Sequence, residues 1–412
     1  MTESATYPRH IRPRLLEALA DTPVVLIHGP RQCGKTTLAQ TLEGYTYLTF
    51  DHQVQLAAAQ ADPVGFVADL PGRTILDEVQ RVPGLFTSLK AAVDRDRRPG
   101  RFVLTGSANV LLTPKLSDSL AGRIEILRLH PLARCELAGN PGDFIGQLFH
   151  GELQPGAYKR FGGALAEQII TGGYPAAMAR RTDRRRRQWY RAYTETMVQR
   201  DVQELARISR LDVMPRLLEL AAGQTARLFN ISELASPFQL SRPTIRDYLT
   251  LLERIFLLEQ LPPWHSNRLS RLVKTPKLHM GDTGLAASLL GVDAVALKQD
   301  GGLLGQLLET FAYQELRRQA SWSEQRIRFY HLRDRDGYEV DMVLEREGRD
   351  VVGVEVKSRA TVTGRDFRAL RRLKSALGDR FRAGVVLYDG ERVVRFEDKL
   401  YAVPIAALWG RA

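Results

Sequence analysis

Short apolar runs separated by helical or loop stretches organise the first third of the chain. They fall at residues 24–27, 45–50, 73–76, 102–105 and 124–129. Runs of this length, alternating with helix-forming segments, predict a doubly wound parallel sheet. From about residue 131 to 228 the pattern becomes mostly helical, broken at Gly139-Asn140-Pro141 and Gly172-Gly173-Tyr174-Pro175. A short helix at Ile231-Ser232-Glu233-Leu234-Ala235 then precedes a second one opening at Ser241-Arg242-Pro243-Thr244. Ser241 is placed as its N-cap and Pro243 falls within its first turn. Ile245, Leu249 and Leu252 follow at helical spacing, and residues 255–261 read as a strand. After Gly301-Gly302 the pattern gives a helix over 304–318 and strands over 326–332, 338–344 and 351–356. A helix over 366–377 and strands over 383–387 and 393–396 complete it. The predicted domains are 1–135, a helical connector over 136–225, a third over 226–295 and a fourth over 296–412.

Chemistry enters directly after the first strand. Residues 29–37 read Gly29-Pro30-Arg31-Gln32-Cys33-Gly34-Lys35-Thr36-Thr37. In a GxxxxGK[ST] loop between a strand and a helix, backbone N–H groups curl around a phosphate. Lys35 would reach the β- and γ-phosphates and the Thr36 hydroxyl would sit on Mg²⁺. Arg31 is a further cation near the phosphates. The third strand ends in Leu76-Asp77-Glu78. There Asp77 is expected to hold the Mg²⁺ shell and Glu78 to polarise the attacking water, against the plainer reading of solvated acids ending a strand. The next strand continues into Thr105-Gly106-Ser107-Ala108-Asn109. A polar residue at a strand's carboxyl end projects toward the ligand, so Ser107, and after it Asn109, is the candidate γ-phosphate sensor; a serine that merely starts a turn is the alternative.

This order of loop, intervening strand, Asp-Glu and polar sensor resembles the AAA-type ATPases with a catalytic glutamate, over about residues 10–135. GPRQCGKTT, LDEVQRVPGLF, LTGSAN and SLAGR are similar to a bacterial and archaeal family in which such a domain is joined to a C-terminal domain of unassigned function. The resemblance implies a Mg²⁺-dependent ATPase. Arg123, in Ser119-Leu120-Ala121-Gly122-Arg123, would then be a charge-stabilising arginine acting on its own or a neighbour's nucleotide, or else a structural ion-pair residue. Related ATPases often assemble as hexamers, and a homo-oligomer stays open.

Two helices and a following strand over 230–262 outline a helix-turn-helix with a wing, whose second helix would offer Arg242, Thr244 and Arg246 to a DNA groove or to a protein. The run Arg180-Arg181-Thr182-Asp183-Arg184-Arg185-Arg186-Arg187 would neutralise nucleic-acid phosphates or simply start a solvated helix. Farther on, Asp341 and Glu355-Val356-Lys357 lie on neighbouring predicted strands after a helix bearing Glu309, and alternation puts Glu355 and Lys357 on one face. This resembles the PD-(D/E)xK nuclease fold over about residues 300–410, with Val340 where the motif has Pro. The resemblance implies Asp341 and Glu355 as metal ligands, Lys357 as the catalytic cation and Glu309 as an assistant; the fold also survives in non-catalytic proteins. The predicted fold class is therefore α/β, an AAA-like P-loop NTPase domain followed by a helical and winged-helix region and a PD-(D/E)xK nuclease-like domain.

Composition adjusts this only slightly. The chain has 412 residues, 44% hydrophobic and 26% charged, as in ordinary globular proteins. No apolar run approaches the ~20 residues needed to cross a bilayer. The first residues lack the apolar core of a signal peptide, and the two cysteines, Cys33 and Cys135, suggest no disulfide framework, so a cytoplasmic location is expected. Net charge is +12, which favours an anionic partner such as DNA. Three readings follow: an ATPase coupled to DNA binding or processing, a nucleotide-switched DNA- or protein-binding module with an inactive nuclease-like domain, and a motor on branched DNA, which would need ring assembly.

Overall fold

The computed structural model describes residues 7–107, 120–140, 142–151, 153, 155–202, 210–264, 275–334, 336–347 and 349–410. Arg9–Leu132 with Arg254–Phe256 forms one compact unit; Ala133–Glu253 with Leu257–Ala412 forms the other.

In the first unit β1 (Val24–His28), β2 (Thr46–Thr49), β3 (Thr74–Asp77), β4 (Phe102–Gly106) and β5 (Ile124–Arg128) make a five-stranded parallel sheet of order β2-β3-β4-β1-β5. The sequence explains the order. β1, β3 and β4 are buried at every position, as strands covered on both faces must be, whereas β2 and β5 keep exposed positions at the edges. The helix Leu85–Arg95 turns Leu85, Phe86, Leu89 and Val93 into the core, a stripe at three- and four-residue spacing. Burying each of these is worth about 1.5–3 kcal/mol. All five strands run the same way, so their carboxyl ends share one edge, where ligands bind in such sheets. This is the P-loop NTPase fold that the sequence predicts.

In the second unit the helical region includes Ala164–Thr171 and Asp183–Thr196. Its break at Gly172 has a packing cause: φ is +66° and a Cβ would lie 2.1 Å from the Tyr190 hydroxyl. The buried Asp282 carboxylate gathers the N–H groups of Gly173 and Gly284, the Tyr190 hydroxyl and Arg318, all within 3.2 Å. The Arg-rich run splits between a loop and the start of the helix Asp183–Thr196, which Thr182 caps. Arg186 pairs with Asp183 and Arg187 with Asp293.

The helices Ile231–Ala235 and Arg242–Arg254 follow β6 (Arg227–Leu228). Ser241 Oγ accepts the Thr244 N–H at 3.2 Å. The 255–261 run becomes β7 (Leu258–Leu261), paired antiparallel with β8 (Lys277–Met280) in a small sheet of order β6-β8-β7.

The C-terminal sheet comprises β9 (Ile327–Arg333), β10 (Glu339–Arg346), β11 (Val351–Lys357), β12 (Phe381–Tyr388), β13 (Val394–Glu397) and β14 (Leu400–Pro404), ordered β13-β14-β12-β11-β10-β9. β14 goes beyond the sequence reading, which ended at residue 396. It slots between β12 and β13 and is largely buried, leaving β13 as the exposed edge. The helix Gly301–Ala320 starts earlier than predicted because Asp300 caps the Leu303 N–H at 2.9 Å. The helix Arg368–Leu377 packs on the sheet at Gly353, where a Cβ would come 2.6 Å from Leu370.

Candidate nucleotide site and a buried carboxylate cluster

The loop after β1 is shaped by backbone constraints that explain its glycines. At Gly29 a Cβ would come 2.0 Å from the Leu129 carbonyl oxygen, and Gly34 has φ +101°. Gln32 takes a left-handed φ of 60° without being glycine. Arg9 braces the turn from outside, donating to the carbonyls of Cys33 at 2.8 Å and His130 at 2.7 Å. Cys33 Sγ lies 3.4 Å from the Leu129 carbonyl, so its side chain anchors the loop to the residue after β5. Lys35 is buried, and its ammonium donates to the carbonyls of Gly29 (3.0 Å) and Pro30 (2.8 Å). Arg31 is half-buried in the loop, and Thr37 and Gln32 are exposed.

Asp77 stands at the carboxyl end of β3, opposite the helix that Lys35 begins. Thr36 Oγ1 donates to its Oδ1 at 3.0 Å, and the Tyr47 hydroxyl donates to its Oδ2 at 2.7 Å. Burial, then the bond to Asp77, raises the Tyr47 phenol pKa, so it remains a donor. The buried Thr105 hydroxyl also donates to Asp77 Oδ1, while its oxygen accepts the Glu78 N–H at 3.2 Å. Glu78 itself sits at φ 60°, ψ 44°, a left-handed conformation uncommon outside glycine. That turn brings its carboxylate to Ser107, whose hydroxyl donates to Glu78 Oε2 at 3.1 Å. Gln80 donates its amide to the same Glu78 oxygen and, at 3.0 Å, to Ser107 Oγ. Lys35, Thr36, Asp77, Glu78 and Ser107 thus meet at one edge of the sheet.

Arg123 lies elsewhere. It precedes β5, whose first residue pairs with Val24 at the start of β1, so it sits at the opposite end of the sheet from the loop. Its guanidinium pairs with Asp94 at 2.6 Å, the ion-pair alternative. Five residues of strand span about 16 Å, which puts the chain's own nucleotide loop out of its reach. Asn109 lies outside the described residues. Three residues the sequence reading missed belong to the site: Tyr47, Gln80 and Thr105. Only Gln80, two residues beyond Glu78, had a sequence signal to offer.

The second constellation surrounds Lys277, a residue the sequence reading did not single out. Its side chain is 1% exposed, and its Nζ lies 2.8 Å from Glu309 Oε1, 2.6 Å from Glu339 Oε1 and 3.4 Å from Asp341 Oδ1. Burial works against the Lys277 charge, but Glu309, Asp341 and Glu339 raise its pKa well above the ordinary value. Asp341 Oδ2 accepts the Val356 N–H at 2.9 Å. Lys357 Nζ lies 2.8 Å from Glu355 Oε2; burial opposes its charge too, yet Glu355 and Asp341 hold its pKa up to about 12. Burial, then Asp341, pushes the Glu309 carboxyl up to about 8 and Glu355 well above its ordinary value. Asp341, Glu355 and Lys357 therefore do come together, with Glu309 beside them.

With both sites described, comparison with known proteins places the chain. Residues 21–138 match the family model of an AAA domain. Residues 162–296 and 304–408 match two domains of unknown function, DUF8612 and DUF4143. Over 394 residues the chain is 31% identical to the uncharacterized protein Rv2008c of Mycobacterium tuberculosis and to Mb2031c of Mycobacterium bovis, covering 95% of this chain and 82% of each relative. The chain belongs to the family of these mycobacterial proteins. Among solved structures it is similar to the Walker-type ATPase PABY2304 of Pyrococcus abyssi, at 16% identity and TM-score 0.43, covering 69% of this chain and 96% of that one. It is also similar to the STAND protein PH0952 of Pyrococcus horikoshii, with a tetratricopeptide repeat sensor, at 12% identity and TM-score 0.23, covering 77% and 47%. Likenesses this distant carry no argument about site or function.

The AAA domain of this family member is ATPase-like, and a P-loop of this kind implies nucleotide binding. Its donors also fit Mg²⁺: the Thr36 hydroxyl and Asp77 carboxylate are adjacent hard oxygens beside the phosphate loop, leaving the other positions to phosphate and water. The carboxylates around Lys277 face protein cations instead, Asp341 and Glu309 meeting Lys277 and Glu355 meeting Lys357. Among the described residues no group of three His, Cys, Asp or Glu side chains is arranged to hold one. Asp341 already faces Lys277 and the Val356 N–H, and although Glu355 Oε1 is buried without a hydrogen-bond partner, one open oxygen is not a metal shell. No helix among the described residues is long and apolar enough to cross a membrane.

Proposed function

We propose that the protein is a Mg²⁺-dependent ATPase that couples nucleotide hydrolysis to DNA binding, with domain boundaries near residues 135, 225 and 295. The observation that carries the ATPase reading is the convergence of Thr36 and Asp77 with the Glu78–Gln80–Ser107 cluster at one edge of the parallel sheet. Lys35 exchanges its two loop carbonyls for phosphate oxygens and neutralises charge as it develops. Thr36 and Asp77 would hold Mg²⁺, which would supply further neutralisation of phosphate charge. Glu78, fixed through its other oxygen by Ser107 and Gln80, orients the attacking water. Water adds to the γ-phosphorus, the bond to the bridging oxygen breaks, and ADP and inorganic phosphate leave.

The DNA half of the reading is supported by the helices Ile231–Ala235 and Arg242–Arg254 and the antiparallel pair of β7 with β8. Arg242 and Arg246 are exposed one turn apart on the second helix, at a groove of about 470 Å³ that Ser232, Thr250 and Gln260 also line. The net charge of +12 agrees with an anionic partner. ATP turnover is to be measured without DNA and with linear, supercoiled and branched DNA, with solution mass determined in parallel to detect a homo-oligomer. Stimulation by one DNA form, steepening as salt falls and lost in Arg242→Ala/Arg246→Ala, is expected. Turnover unaffected by every DNA form overturns the DNA half and leaves the ATPase half standing.

A further inference from the structure

The nuclease-like resemblance asks Asp341 and Glu355 for a divalent metal, yet the structure places a protein cation at Asp341. An ammonium has three N–H donors. Lys277 donates to Glu309 on the helix Gly301–Ala320 at 2.8 Å and to Asp341 on β10 at 3.4 Å, and forms an ion pair with Glu339 on β10 at 2.6 Å. Its charge thus faces three carboxylates at once. The remaining partners are also protein groups: Arg333 on Glu339 at 3.3 Å, the Val356 N–H on Asp341 and Lys357 on Glu355.

We infer that Lys277 is a built-in cation that closes the carboxylate cluster of the C-terminal domain to divalent metal, making this domain a metal-independent scaffold. The inference deepens the proposed function by assigning the C-terminal domain a holding role, and it rests on the nuclease-like reading only for the identity of the metal excluded. Its geometry explains what is held. Lys277 comes from β8, which pairs with β7 after the helices Ile231–Ala235 and Arg242–Arg254, while its three partners lie on the helix Gly301–Ala320 and β10. The same junction is pinned nearby. Trp264 is buried, its indole N–H donates to Glu345 at 3.0 Å, and its backbone N–H donates to the His331 carbonyl at 2.7 Å. Lys277 therefore ties the candidate DNA-binding module to the sheet, with its charge matched by carboxylates that a nuclease would give to metal. Buried ions are tolerated where each is paired and hydrogen-bonded, and this pairing is made within the chain.

The test uses the full-length protein, Mn²⁺ alone as probe and no nucleotide, so that it reads independently of the P-loop. Electron paramagnetic resonance counts bound Mn²⁺ in the wild type, Asp341→Asn, Lys277→Met and the double variant. The wild type and Asp341→Asn should bind alike, and Lys277→Met should gain one site that Asp341→Asn removes again. A wild-type site lost in Asp341→Asn overturns the inference. So does a folded Lys277→Met protein that gains no site, because the Lys277 charge is then not what excludes metal. Should Lys277→Met fail to fold, Lys277→Gln, which removes the charge but keeps a polar end, takes its place with the same two outcomes.

Discussion

Replacing Thr105 with valine tests how the ATPase site is built, because one buried hydroxyl serves both acids of the Asp-Glu pair. Thr105 is fully buried; it donates to Asp77 and accepts the Glu78 N–H at 3.2 Å. Valine keeps the shape and removes both bonds. A buried N–H left without an acceptor costs about 1–3 kcal/mol, and a lost hydrogen bond to a charged group about 1.5–3 kcal/mol. Other donors to Asp77, from Thr36 and Tyr47, remain, so a net destabilisation of ~2–4 kcal/mol is expected for the AAA domain. At roughly 3–5 °C per kcal/mol for a domain of this size, the melting temperature should fall by about 6–20 °C. Turnover should fall farther than affinity. Glu78 holds a left-handed backbone that the Thr105 bond helps to fix, and a misplacement of about 1 Å can cost ~100-fold in rate. The assay pairs calorimetry with steady-state ATP hydrolysis and nucleotide affinity, and Thr105→Ser serves as the control that keeps the hydroxyl. A Thr105→Val protein with wild-type melting and turnover would refute the reasoning, because the hydroxyl would then support neither acid.

Gln80→Ala removes the amide that bridges Glu78 and Ser107; kcat should drop about 10-fold with nucleotide affinity nearly unchanged, and an unchanged kcat in stopped-flow phosphate release contradicts the bridge. The pH dependence of stability has a defined sign at His28. Burial first, then Arg128 and Lys35, lowers its pKa from 6.5 to about 3, so the folded protein keeps the ring neutral while the unfolded chain takes up a proton below 6.5. Its contribution is complete above the unfolded pKa and is lost as pH falls from 6.5 toward 3, at about 1.4 kcal/mol per pH unit. His28→Asn should flatten the fall of the urea midpoint with pH over that window, and equal slopes in the two proteins exclude the assignment.

The N-terminal sheet was legible because its signals are local. A buried parallel strand is a continuous apolar run, and the phosphate loop, Asp77-Glu78 and Ser107 each sit at the end of one. Thr105 and Tyr47 were not legible, since a threonine or tyrosine near a strand end looks the same whether or not it meets a carboxylate. Their roles arise from register: Thr49 pairs with Asp77 and Leu76 with Leu104, which brings residues from β2, β3 and β4 to one edge. Lys277 was hidden for another reason. It is distant in sequence from Glu309, Glu339 and Asp341, and a lysine in a short polar-flanked segment reads as solvent-facing until its strand is seen buried at every position. Arg123 shows the reverse, a plausible motif whose parallel register carries it to the wrong end of the sheet for its own loop.

The most direct test of the central claim is single-turnover hydrolysis of ATP by Glu78→Gln. Glutamine keeps the size of Glu78 and its contacts with Ser107 but no longer offers a carboxylate to the water. The account predicts ATP binding, with Mg²⁺, close to that of the wild type and hydrolysis slowed by about 100-fold or more. Hydrolysis at the wild-type rate by a folded, ATP-binding Glu78→Gln protein would contradict it.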